Sequence, residues 1–163
     1  MSCIKSSSCC DKQFKFRIQS FCFFITFLFL SIQLYSQGPV DERWVKDNYT
    51  KREVYIPTRD GVKLYTAIYE PKSTARRHPI LVVRTPYRCS PYGEEFTSEL
   101  WNGFREFTER NYIIVYQNVR GKFMSEGEFE NVRPVTTLTS KDGVDDASDM
   151  YDTAEWLLKN THS

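Results

Sequence analysis

Pro79-Ile80-Leu81-Val82-Val83-Arg84 and Tyr112-Ile113-Ile114-Val115-Tyr116 are two short apolar runs rich in branched side chains. Neither alternates with polar residues, which is the pattern of strands buried on both faces, as at the centre of a sheet covered by helices. Arg76-Arg77-His78 precedes the first run and Thr85-Pro86 follows it, so both of its ends are marked. Between the runs, Phe96 to Arg110 places Leu100, Trp101, Phe104 and Phe107 at three- and four-residue spacing, which predicts an amphipathic helix. Strand, helix, strand with both strands buried is a parallel βαβ unit, whose crossover is expected to be right-handed.

Working outward, Lys51 to Pro57 and Val62 to Glu70 are β-rich runs joined through Arg59-Asp60-Gly61. Asp-Gly between two such runs predicts a hairpin with a type I′ turn, in which both central residues take positive φ. Pro57 has no N–H for a ladder and marks a strand end or an exposed edge. Beyond the second buried run lies a glycine-bearing loop from Asn118 to Gly127, and then a second helix from about Val144 to Asn160. Ala147, Met150, Tyr151, Ala154, Leu157 and Leu158 share one face of that helix, and Asp142, Asp145, Asp146, Asp149 and Asp152 crowd its first turns, as a helix dipole favours. The order is hairpin, β, α, β, loop, α. A helix that returns the chain to a sheet calls for a following strand, so the expectation is a piece of a longer protein, with a very small three-layer domain as the other reading.

The 163 residues are 40% hydrophobic and 26% charged with a net charge of +1, an ordinary globular balance with no electrostatic reason to expect nucleic acid as a partner. The average hides two pieces. Residues 1–36 carry four of the five cysteines and a charge of +3, leaving −2 and Cys89 for residues 37–163. A basic segment, the apolar block Phe21 to Leu30 and a small residue at Ser36 describe a secretory signal peptide over 1–36. Its rival is an uncleaved anchor over Ile18 to Tyr35, although a bilayer span takes about 20 apolar residues. With a signal peptide the protein is exported, to the periplasm or the outside, and it meets the membrane only in transit.

Several residues invite chemistry. Ser125-Glu126-Gly127 has Phe123 where a G-x-S-x-G elbow has its first glycine, so Ser125 reads as a turn residue. His78 and His162 are the only histidines and read as solvated, which leaves no base for a Ser-His-Asp triad. The Asp142 to Glu155 cluster lacks calcium-loop spacing and reads as a solvated helix start, and Cys3, Cys9 and Cys10 lack further ligands at metal-site spacing; no metal or cofactor is expected. Arg84-Thr85-Pro86-Tyr87 stands where a parallel strand leaves the sheet at its carboxyl end, the place where ligands of open α/β sheets gather. The Tyr87 hydroxyl keeps its proton at neutral pH and can donate a hydrogen bond; the other reading is an aromatic lid on the sheet edge.

Four segments, in order, carry a resemblance: Ile56-Pro57-Thr58-Arg59-Asp60-Gly61-Val62-Lys63-Leu64; Arg84-Thr85-Pro86-Tyr87; Gln117-Asn118-Val119-Arg120-Gly121 with Ser125-Glu126-Gly127-Glu128-Phe129; and Asp149-Met150-Tyr151-Asp152-Thr153-Ala154-Glu155-Trp156-Leu157. Over Tyr49 to Asn160 the chain resembles the secreted serine hydrolases that include cocaine esterase, Xaa-Pro dipeptidyl-peptidases, α-amino-acid ester hydrolases and glutaryl cephalosporin acylases. Ser90-Pro91-Tyr92-Gly93 and Asp146-Ala147-Ser148-Asp149 look most similar to the ester hydrolase and acylase branch.

The resemblance implies an α/β-hydrolase fold, with residues 37–163 as the N-terminal part of its catalytic domain, truncated before the nucleophile. It further implies acyl-enzyme hydrolysis of small ester, amide or X-Pro-like peptide substrates, with the triad beyond Ser163. It assigns one role within the chain, that of oxyanion-hole donor to Tyr87, and expects the piece alone to be inactive. A different class of function stays open, a small secreted non-catalytic module that binds a ligand or partner at the carboxyl ends of its strands.

Overall fold

A computed structural model describes residues 40–131, 133–135 and 143–163. The leader over 1–36, its anchor alternative and Asp142 lie outside these residues. Among the described residues, no helix is long and apolar enough to cross a membrane.

Asp41 caps the first helix, α1 (Glu42–Asn48), its carboxylate accepting the Trp44 N–H at 2.8 Å. The chain then runs directly into β1 (Tyr49–Pro57), which pairs antiparallel with β2 (Lys63–Pro71) from Tyr49↔Pro71 to Pro57↔Lys63. β3 (Ile80–Thr85) and β4 (Ile113–Asn118) pair in parallel from Ile80↔Ile113 to Thr85↔Asn118, and β4 pairs antiparallel with β2. The order is β1-β2-β4-β3. The hairpin and the parallel βαβ unit are therefore both present.

Side-chain alternation along these strands sorts two cores onto the two faces of the sheet. Tyr65, Ala67 and Tyr69 of β2 and Ile114 of β4 face α1 and the β3–β4 crossover, packed with Phe96, Phe104 and Tyr116. Ile68, Ile113 and Val115 face the last helix, α3 (Asp146–Asn160), and meet its Leu157. Burying a side chain of that size contributes about 1.5–3 kcal/mol.

Four sequence expectations change. β3 is not among them: its side chains pack into both cores, all six of its residues are half-buried, and β4 flanks it among the described residues. The Phe96 to Arg110 helix is broken into a 3-10 turn (Ser98–Leu100) and a short α2 (Arg105–Glu109). Gly103 sits at the break with the Glu99 carboxylate folded against it, where an added Cβ would lie 2.2 Å from Glu99 Oε2, and glycine weakens a helix interior by about 1 kcal/mol relative to alanine.

The hairpin loop is longer than a two-residue turn. Thr58 N–H reaches Val62 O at 2.9 Å and Gly61 N–H reaches Thr58 O at 2.9 Å, and Gly61 alone takes positive φ, at +85°. Asp60 is drawn away from the I′ geometry because its carboxylate binds Arg120 and Thr58. His78 is buried rather than solvated, with Nε2 against Ser73 O at 2.8 Å and its main-chain N–H on His162 O.

Finally, α3 turns a different face inward. Ser148, Asp149, Thr153 and Leu157 are buried, whereas Tyr151 and Leu158 are exposed. Polar side chains can go inside here because partners on the sheet receive them.

Candidate functional site

The carboxyl ends of β3 and β4 lie side by side, and the last ladder bond between them runs from Val119 N–H to Thr85 O at 3.1 Å. Pro86 follows and has no N–H to extend the ladder. Tyr87 is next, 76% exposed. Its N–H donates to Thr85 Oγ1 at 3.0 Å and its C=O accepts from Asn118 Nδ2 at 2.8 Å. The ring therefore stands on a fixed main chain with its hydroxyl open to an incoming group, at the place expected from the sequence.

Behind this edge is a polar inlay. Arg120 follows β4, with its side chain only 7% exposed, and grips two carboxylates at once. Nε and Nη2 donate to Asp149 at 3.1 and 2.6 Å, and Nη1 and Nη2 donate to Asp60 at 2.7 and 3.1 Å. Such two-pronged pairs are among the stronger hydrogen bonds in proteins. The bond to Asp149 first, and that to Asp60 next, raise the Arg120 pKa, while Arg120 holds the Asp60 carboxyl down at about 2. Arg84 lies alongside, its Nε on Gln117 Oε1 at 2.9 Å and its Nη1 on Asp146 O at 2.7 Å; burial lowers its pKa. Gln117 Nε2 in turn donates to Thr66 and Thr153, both at 3.0 Å. The inlay thus joins the hairpin loop, β2, β4 and α3.

These partners revise one sequence reading and extend another, that of Ser125 as a turn residue, whose N–H closes a turn on Lys122 O at 2.9 Å. Among the described residues the acidic cluster is only in part a solvated helix start: Asp146 is exposed, whereas Asp149 is buried against Arg120, Asp152 takes both arms of Arg59, and Asp145 forms a capping box with Ser148. Among the described residues, no three His, Cys, Asp or Glu side chains are placed to hold a metal ion. Ser125 is a buried clamp, its Oγ donating to Asn118 O at 2.8 Å and accepting the Tyr65 N–H at 2.9 Å. Both partners are main-chain groups, so no base stands against this hydroxyl.

Gly121 allows the loop to fold back on itself. Its φ is +68°, and an added Cβ would lie 2.1 Å from Phe129 N. Between this loop and the β3 exit is a cavity of about 180 Å³ lined by Pro86, Val119, Arg120, Phe129, Arg133 and Asp146, among others. That is smaller than the roughly 300–1,000 Å³ of a small-molecule pocket.

Sequence reasoning misses Arg120 and Asn118 as functional groups. The signal for Arg120 is an arginine two residues past a buried strand, with Asp60 and an acidic helix among the groups that can receive it.

Residues 60–163 match the X-Pro dipeptidyl-peptidase (S15 family). Cocaine esterase of Rhodococcus sp. (strain MB1 Bresler) is 34% identical over 120 residues, covering 71% of this chain and 18% of that protein. The solved α-amino acid ester hydrolase has a TM-score of 0.61 at 41% identity, covering 79% of this chain and 22% of the other. An aminopeptidase from the marine sediment archaeon Thaumarchaeota archaeon has a TM-score of 0.56 at 42% identity, covering 69% and 19%. The chain spans about a fifth of the length of these relatives. Its mixed sheet is that of the α/β-hydrolase fold. With the hairpin loop from Asp60 on, the Arg84 to Tyr87 exit and the Arg120 inlay all inside the matched residues, the chain belongs to the X-Pro dipeptidyl-peptidase (S15) family.

Proposed function

We propose that the chain is the leading part of an exported serine hydrolase that cleaves small ester, amide or short-peptide substrates through an acyl-enzyme. The observation that carries this reading is Tyr87, an exposed hydroxyl on a main chain fixed at the carboxyl end of a parallel strand. Similarity to an esterase, an ester hydrolase and an aminopeptidase supports the substrate class.

In the reaction, a serine beyond residue 163 attacks the substrate carbonyl as a histidine takes its proton. The alcohol or amine leaves with that proton, and water then releases the acid from the acyl-enzyme. Tyr87 donates its hydroxyl hydrogen bond to the oxyanion formed at each attack. Losing one such donor lowers kcat by about 10²- to 10³-fold. Residues 1–36 act as the signal peptide, and residues 37–163 alone turn over nothing, since Ser125 has no base and His78 is engaged in the fold.

The test is expression from the complete reading frame. The expected protein is labelled by a fluorophosphonate at one serine past residue 163 and hydrolyses an activated aryl ester, with Tyr87→Phe slowing kcat by about 10²- to 10³-fold at little changed KM. A stop codon directly after Ser163, or catalytic turnover by residues 37–163 alone, overturns the reading.

A further inference from the structure

An exposed ring stabilises an oxyanion only if its hydroxyl already stands where the charge develops, because a donor that must search for its position loses most of its effect. Tyr87 is 76% exposed. What the fold holds is the main chain beneath it, which sets the direction in which the side chain leaves the Cα. Both polar main-chain groups of Tyr87 are taken by side chains rather than by the ladder: its N–H by Thr85 Oγ1 at 3.0 Å and its C=O by Asn118 Nδ2 at 2.8 Å. Thr85 and Asn118 are registered partners at the ends of β3 and β4. Pro86 offers no N–H, so strand pairing cannot extend to Tyr87 and side-chain groups take its place.

Asn118 is itself fully buried and doubly held. Its C=O accepts from Ser125 Oγ at 2.8 Å, and that oxygen accepts the Tyr65 N–H of β2 at 2.9 Å. A line of hydrogen bonds thus runs from β2 through Ser125 and Asn118 to the Tyr87 carbonyl, and a second runs from β3 through Thr85 to the Tyr87 N–H.

We infer that Asn118 and Thr85 are positioning residues which aim the Tyr87 hydroxyl by fixing the main chain on either side of its Cα. The inference rests on the proposed oxyanion role of Tyr87. It gives the Arg84-Thr85-Pro86-Tyr87 and Gln117-Asn118-Val119-Arg120-Gly121 segments one shared task, although they are far apart in sequence.

A double-variant kinetic cycle on the full-length hydrolase tests it. Asn118→Ala and Thr85→Val should each lower kcat by about 10- to 100-fold while KM moves little. Placed on a Tyr87→Phe background, each should slow the enzyme by no more than about twofold further, because no hydroxyl is left to aim. If the losses multiply instead, or if the single variants are silent while Tyr87→Phe is slow, the positioning role is overturned and Tyr87 keeps its own. If Tyr87→Phe is itself silent, the oxyanion assignment falls and the inference with it. Should Asn118→Ala fail to fold, Thr85→Val carries the cycle alone, since it exchanges a hydroxyl for a methyl at a half-buried site.

Discussion

The two faces of the sheet are built from different materials. The face under α1 and the crossover is aromatic, with Tyr65, Tyr69, Phe96, Phe104 and Tyr116 in edge-on and tilted contacts. The face under α3 is aliphatic at one end and polar at the other, where Arg120, Asp149, Gln117 and Thr153 interlock. Apolar packing is stabilising over a range of shapes, whereas a guanidinium between two carboxylates accepts only one arrangement. The aromatic face therefore supplies bulk burial, and the polar face fixes where α3 and the hairpin loop stand against the carboxyl ends of β3 and β4.

The largest test of this contrast removes the inlay's centre. Arg120→Met should destabilise the protein by about 3–5 kcal/mol in equilibrium urea unfolding, because Asp149 is left buried without its two hydrogen bonds from Arg120, with Arg84 alone at 3.8 Å. Arg120→Lys should recover little, since one ammonium cannot reach both carboxylates two-pronged. A smaller loss is expected from Phe104→Leu on the other face, under about 1.5 kcal/mol in the same assay. Equal losses from the two faces would erase the distinction.

The gentlest probe is acid. The Asp60 carboxyl is depressed from 3.8 to about 2 by its Arg120 hydrogen bond, so its contribution to stability is complete above the unfolded value and is lost as pH falls through the folded one. The thermal midpoint should therefore decline between pH 4 and pH 2 more steeply in the parent than in Asp60→Asn. Parallel curves would remove Asp60 from the network.

Much of the fold is legible in the residues because period and branching are local signals. Two of the three strand pairings could be read, the β1–β2 hairpin and the parallel β3–β4 pair, along with their sense and the site of α3, whereas the antiparallel β2–β4 pairing that joins them could not. What could not be read depends on tertiary partners. The inward face of α3 misleads because Asp149 and Thr153 look like solvent residues until Arg120 and Gln117 are set opposite them. The crossover helix reads as continuous because its apolar spacing survives the break at Gly103. At the site, the place of Tyr87 follows from a rule about strand ends. The roles of Asn118 and Ser125 depend on atoms from three separate segments meeting, which no window of sequence contains.

Gly121 carries a last consequence, for heredity. Phe129 N occupies the spot where any Cβ would stand, and the backbone there is left-handed as well. Relief would require moving main chain rather than a side-chain tip, in the loop that begins with Arg120. Substitution at this codon is therefore punished irrespective of the size, charge or polarity of the newcomer, alanine included. A saturation library should show a single surviving residue at this position.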